Sequence, residues 1–223
     1  MHLIDHGRNH VEETYKRPFL ERCMRSILSF TLPNPRIFLS LALSTKIIKP
    51  FSFLLPSFFK NALKLMPSKI PSKKLKTQKI YSSLGKKNIA RVALLTGCVQ
   101  RVISPEINES TIRLLNRHGV EVVVPPKIDC CGSLNHHLGK KNLAHTSFVK
   151  NINIWHKEYL ENGLDAIISN TSGCGTTLKD YGFIFRNDPE MKKKAKKISE
   201  LTKDITEFLD ENLKLKFKSN TSK

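Results

Sequence analysis

Four cysteines, Cys98, Cys130, Cys131 and Cys174, are the residues of this 223-residue chain whose type and setting could do chemistry. Thiolates are soft ligands that select iron–sulfur clusters or zinc over hard cations, and four of them are the usual complement of either centre. Glycines at 97, 132, 173 and 175 flank the cysteines, and backbone without a Cβ can turn sharply and come close to a bulky inorganic core. A free cysteine is also a small apolar residue that fills core space, which is the reading for Cys23, alone on a helix. A vicinal pair beside a glycine, with two more cysteines at the ends of apolar runs, is an odd way to fill a core. Zinc competes for the same four thiolates, although its paired knuckles, with about two residues between ligands, are missing. His136 and His137 are candidate fourth ligands, but fit better as supporting donors or surface residues. Thiol–disulfide exchange at the vicinal pair ranks last: adjacent cysteines form a strained bridge, and a resolving Cys-x-x-Cys is lacking.

The elements that must position these thiols alternate between strand and helix. Residues 90–96 form an apolar, β-branched strand running into Gly97 and Cys98. Residues 105–117 follow as an amphipathic helix with Ile107, Ile112, Leu114 and Leu115, stopped by His118 and Gly119. A second strand spans 120–124, and Pro125 and Pro126 then force a loop that carries Asp129, Cys130, Cys131 and Gly132. A helix over about 140–162, capped by Gly163, leads to a third strand at 165–169, then Cys174 and a short helix through Asp180. Such alternation predicts an α/β fold: a small parallel sheet with flanking helices and right-handed crossovers. Sites in open parallel sheets form outside the carboxyl ends of the strands. All three cysteine positions fall there, so topology alone predicts their convergence.

The chain divides into a helical arm (1–66), a basic linker (67–89), the cysteine-rich α/β domain (90–213) and a basic tail (214–223). The arm starts with a helix over residues 2–32, closed by Pro33 and Pro35, and continues with apolar blocks at 37–43 and 51–59. Both blocks are shorter than the roughly 20 apolar residues a bilayer-spanning helix needs. They suit a helix that packs on a partner, or one that lies on the inner face of a membrane through residues 36–66. The formal charge of +19 is unevenly placed: between Glu21 and Glu106 there are sixteen Lys and Arg and no Asp or Glu. From Glu106 onward nineteen basic residues face fifteen acidic ones, so the cysteine-bearing region has an ordinary surface. Aromatic residues are not interleaved with the charges as a base-stacking platform requires, which argues against nucleic acid as a partner. Five unevenly spaced cysteines and the lack of a signal segment point to a reducing, cytoplasmic compartment.

Four segments carry a resemblance: Ala90-Arg-Val-Ala-Leu-Leu-Thr-Gly-Cys-Val-Gln100, Pro105-Glu-Ile-Asn-Glu-Ser-Thr-Ile-Arg-Leu-Leu115, Cys130-Cys-Gly-Ser-Leu-Asn-His-His-Leu-Gly139 and Ser172-Gly-Cys-Gly-Thr-Thr-Leu-Lys-Asp-Tyr181. They resemble the first of two cysteine-rich repeats in the iron–sulfur subunit of glycolate oxidase, within the cysteine-rich domain family shared with heterodisulfide reductase subunits. The likeness runs from about His2 to about Phe208. It implies a non-catalytic electron carrier that holds an iron–sulfur cluster, of the 4Fe-4S type, on Cys98, Cys130, Cys131 and Cys174. It further implies FAD-containing glycolate oxidase subunits as partners, on which glycolate is oxidised to glyoxylate. The wider family often has a further Cys three positions beyond the last, where this chain has Thr177. The ferredoxin-like domain and the second cysteine-rich repeat of that subunit have no counterpart here, so the resemblance implies a fragment or a shortened gene product. The alternative is a non-redox zinc-binding or structural module that docks a partner through its basic helical arm.

Overall fold

The computed structural model describes residues 2–54, 60, 63, 79–84, 88–128 and 130–213. The sheet is built on strands β2 (Ala90–Leu95), β3 (Val120–Val124) and β4 (Ala166–Ser169), with short strands β1 (Lys79–Tyr81) and β5 (Thr202–Asp204) at its edges. The order is β1-β3-β2-β4-β5. β2 runs parallel to β3 (Val92 opposite Val122) and to β4 (Val92 opposite Ala166), and β4 runs parallel to β5. Only β1 is antiparallel, pairing Lys79 with Val124. The expected α/β architecture with a small, mostly parallel sheet is what the chain forms.

Both faces of the sheet are covered, which is why its strands read as continuous apolar runs rather than alternating ones. Successive side chains of a strand point to opposite faces. Val92 and Leu94 thus join Ile112, Leu115, Val122 and Phe208 on one side. Ala93 and Leu95 join Phe148, Ile152, Trp155, Ile167 and Tyr181 on the other. The first layer is roofed by helix Pro105–Arg117, the second by the long helix Lys141–Asn162 and by helix Lys192–Leu201. At the amino-terminal edge Arg91 ties these layers together. Its guanidinium donates to Glu121 (2.8 Å), Glu158 (2.6 Å) and the carbonyl of Gly163 (2.8 Å).

The arm differs from the single helix expected over residues 2–32. It forms two helices, His2–Thr14 and Phe19–Thr31, because Pro18 has no N–H to donate and forces the residue before it away from helical backbone. A third helix, Pro35–Ile48, contains the apolar block at 37–43 and continues as a 3₁₀ turn, Lys49–Leu54. Most of the block at 51–59, most of the linker at 67–89, and the tail at 214–223 lie outside the described residues. Within that linker, residues 79–81 pair with β3; three residues are too few to show a periodic pattern. Among the described residues no helix is long and apolar enough to cross a membrane.

Polar contacts join the arm to the sheet domain. Arg25 donates to the carbonyl of Leu138 (2.8 Å), and Lys140 pairs with Glu12 (2.8 Å). Asp5, buried on the first helix, accepts from His137 (2.8 Å), and the ring of His2 stacks on Phe183 at 3.6 Å.

At the far end of the domain, Asp204 and Glu207 form a reciprocal capping box at helix Ile205–Phe208. That helix seats Phe208 in the core. An N-cap of this kind is worth about 1 kcal/mol, so Asp204→Ala should lower stability by roughly that amount, read as the shift in urea midpoint at unchanged m-value. No shift would show that the cap does not hold the helix.

Candidate metal centre

The three strands that precede the cysteines, β3, β2 and β4, are immediate neighbours in the sheet. From β2 the chain crosses to β3 on one side and then returns to β4 on the other, so the carboxyl end of β2 faces a crevice where the strand order switches. Cys98 follows β2 and Cys130 and Cys131 follow β3. Cys174 lies in the first turn of helix Ser172–Lys179 after β4, one element further than the loop expected for it.

The sulfurs gather in one cluster. The Cys131 thiol donates to Cys174 Sγ across 3.1 Å, and Cys98 and Cys130 lie close enough to these to shift one another's ionisation. Cys130 and Cys131 are buried, whereas Cys98 and Cys174 are half-buried and reach toward the surface. The neighbouring Cys131 and Cys98 thiols hold the Cys130 thiol well below its usual range, helped by the Gly132 N–H and the charge of Arg101. Cys98 and Cys131 move the other way, pushed up by the neighbouring Cys130 sulfur and by burial. Cys174, which accepts from Cys131, is lowered.

The peptide carrying the vicinal pair is pinned from the long helix and from the helix after Cys174. Asn151 Nδ2 donates to the carbonyl of Cys130 (2.8 Å), and the fully buried Tyr181 hydroxyl donates to the carbonyl of Cys131 (2.7 Å). Gly132 then turns the chain with φ of 83°. A Cβ there would sit 2.4 Å from the Phe148 ring, so no other residue fits without moving the core.

A second polar cluster fixes the loops after β2 and β4. Asn108, fully buried on helix Pro105–Arg117, donates to the carbonyl of Thr96 (2.9 Å). Its Oδ1 accepts from Gln100 (3.0 Å) and Asn170 (3.0 Å). Thr171 closes the ring by donating to Gln100 Oε1 (2.6 Å). The Cys98 and Cys174 segments are therefore fastened to each other independently of their sulfurs.

The cysteine motifs alone do not single out Asn108, Asn151, Gln100 and Tyr181 as supporting residues. The signal for two of them is a polar residue inside an apolar helical stripe: Asn151 sits among Ala144, Phe148, Ile152 and Trp155, and Asn108 among Ile112 and Leu115. A buried amide in such a stripe must find partners. His136 and His137 turn toward Asp5 at 3.6 Å and 2.8 Å, so they join the arm to the short helix Ser133–His137. Cys23 is half-buried on the second arm helix. Thr177, at the position where the wider family often has a further cysteine, is buried and donates to the carbonyl of Gly173 (3.2 Å).

Among the described residues no three His, Cys, Asp or Glu side chains close around a point as ligands of one metal ion do. Four thiols gathered at the ends of three neighbouring strands suit a multinuclear core, whose ligands attach to separate metal atoms. The donor set, four thiols with the outer two half-exposed, fits such a core.

An open α/β sheet with thiols gathered over three adjacent strand ends defines a cysteine-rich domain. Residues 92–179 match the family model described as a cysteine-rich domain. Over its length the chain is similar to the glycolate oxidase iron-sulfur subunit of Escherichia coli (strain K12), 34% identical over 94% of this chain and 48% of that protein. It is also similar to the probable glycolate oxidase iron-sulfur subunit of Bacillus subtilis (strain 168), 32% identical over 70% of this chain and 34% of that one. An uncharacterized iron-sulfur protein of Methanocaldococcus jannaschii is 36% identical over 57% of this chain and 23% of its own length. The chain thus spans about half, or less, of the length of these relatives. No solved structure matches it significantly.

Proposed function

We propose that this chain is an electron-transfer component of a glycolate oxidase or dehydrogenase complex, holding an iron–sulfur cluster of the 4Fe-4S type on Cys98, Cys130, Cys131 and Cys174. The observation that carries the reading is the group of four thiols at the carboxyl ends of β3, β2 and β4, with one pair of sulfurs 3.1 Å apart. Similarity to glycolate oxidase iron-sulfur subunits supports it. When bound, the cluster takes up and passes on single electrons. The chain's own residues supply the rest: Asn151 and Tyr181 hold the vicinal pair at fixed depth, and the amide ring around Asn108 holds the loops of Cys98 and Cys174 beside it. Cys98 and Cys174, being half-buried, would be the ligands nearest the surface. In this reading a FAD-containing subunit oxidises glycolate to glyoxylate and delivers the electrons, in the cytoplasm or on the inner face of the membrane.

Anaerobic reconstitution with iron and sulfide tests the centre. The wild-type chain should take up roughly four iron atoms with as much acid-labile sulfide and absorb broadly in the visible. Cys131→Ser should lose most of that absorbance. Stoichiometric zinc without iron uptake would overturn the assignment, since zinc thiolates are colourless in that region. Co-purification of the loaded chain with a flavoprotein tests the partner.

A further inference from the structure

Cys131 Sγ and Cys174 Sγ stand 3.1 Å apart although the two residues are 43 positions apart in sequence. A disulfide bond is about 2.0 Å long, so these sulfurs bond after closing by roughly 1 Å. The backbone segments that carry them are already fastened to each other. Ser133 donates to the carbonyl of Gly173 (3.4 Å), and Tyr181, which opens the helix after that of Cys174, donates to the carbonyl of Cys131 (2.7 Å). Only the side chains have to turn.

The vicinal alternative is resisted. A Cys130–Cys131 bridge strains the peptide between the two residues, and their carbonyls are held, that of Cys130 by Asn151 (2.8 Å) and that of Cys131 by Tyr181. Access separates the remaining pair. Cys131 is 2% exposed, whereas Cys174 is half-buried in the first turn of helix Ser172–Lys179. A reagent from solvent therefore meets Cys174 first, with the Cys131 sulfur directly behind it, which is the relation of an attacking thiol to a resolving one.

We propose that Cys174 and Cys131 are an attacking and resolving thiol pair that low-molecular-weight disulfides oxidise to a Cys131–Cys174 bridge. The Cys174 thiolate attacks one sulfur of the reagent RSSR, whose S–S bond breaks; a mixed disulfide forms on Cys174 and RS⁻ leaves. The Cys131 thiol then gives up its proton and its sulfur attacks Cys174 Sγ, forming the bridge and expelling the second RS⁻. Two protein thiols lose two electrons and two protons, and RSSR is reduced to two RSH. One consequence rests on the electron-transfer reading: the bridge engages two of the four cluster ligands, so the oxidised chain cannot load iron until it is reduced.

The test incubates the iron-free full chain anaerobically with oxidised glutathione and maps its disulfides by mass spectrometry. Wild type and Cys130→Ser should both join the peptides containing residues 131 and 174. In the Cys130→Ser background, Cys131→Ser should lose the bridge and accumulate one glutathione on Cys174, because the resolving sulfur is gone. No bridge in wild type, its loss in Cys130→Ser, or no glutathione on Cys174 in the double variant would each overturn the proposal. Iron uptake is measured separately on reduced and oxidised wild type. The oxidised chain should load iron only after dithiothreitol, and equal uptake by both would overturn the stated consequence. A reduced chain that loads no iron would overturn the electron-transfer reading and leave the bridge standing.

Discussion

Gly132→Ala should destabilise the domain by about 3 kcal/mol, and should strip iron from the reconstituted protein in the same step. Two terms add. A residue with a Cβ at φ of 83° costs roughly 1–2 kcal/mol relative to glycine, and overpacking a filled core adds about 1–3 kcal/mol. The second term applies because the new Cβ would lie 2.4 Å and 2.7 Å from two carbons of the Phe148 ring and 3.3 Å from the carbonyl oxygen of Ala144. Phe148 has nowhere to retreat. It is 2% exposed, with Tyr181 at 4.9 Å and Phe185 at 6.3 Å between ring centroids. Moving it shifts Tyr181, whose hydroxyl holds the carbonyl of Cys131, and so the clash reaches the vicinal pair. Gly7→Ala is the control. Its Cβ would meet nothing within 4 Å inside helix His2–Thr14, so alanine should stabilise by about 0.5–1 kcal/mol. Urea midpoints and iron per chain read both effects. A wild-type midpoint for Gly132→Ala would mean that the turn after the vicinal pair is not built as described.

The central strands were legible because burial on both faces leaves a plain mark: Val92 to Leu95 and Ala166 to Ile168 are continuous apolar runs and fully buried ones. Convergence of the cysteines followed from the rule that sites lie beyond the carboxyl ends of parallel strands. What it could not show was the depth of each thiol, since that depends on which polar side chains hold the loops. Edge strands were illegible for the opposite reason. Thr202-Lys203-Asp204 has no apolar residue and is extended because it completes the ladder beside Ile167 to Ser169. The break in the arm was readable at Pro18, because Phe19, Leu20, Met24, Ile27 and Leu28 all lie beyond it, on the second helix, and their spacing says nothing of the chain before it. Periodicity reports a face, while a missing N–H reports an end, and here the second decides.

Trp155 is the side chain whose removal should hurt most. It is fully buried on helix Lys141–Asn162, in the layer that also contains Ile152, Ile167 and Ile198. Truncation of a buried tryptophan to alanine costs about 3–5 kcal/mol, because lost contacts and a residual cavity add. For a chain of this size that is a fall in Tm of roughly 6–20 °C, at about 2–4 °C per kcal/mol. The indole N–H changes the expectation for a second variant. Nε1 is buried without a partner among the described residues, so the wild type already carries the penalty of an unmade hydrogen bond. Trp155→Phe keeps most of the packing and removes that donor, and the two terms oppose one another at about 1–3 kcal/mol each. Phenylalanine should therefore cost less than about 1 kcal/mol where alanine costs about 3–5 kcal/mol. Were the N–H hydrogen-bonded in solution, phenylalanine would lose that bond as well as ring volume and approach the alanine value. Thermal unfolding of the two variants side by side thus separates a tryptophan held by packing from one held by its nitrogen.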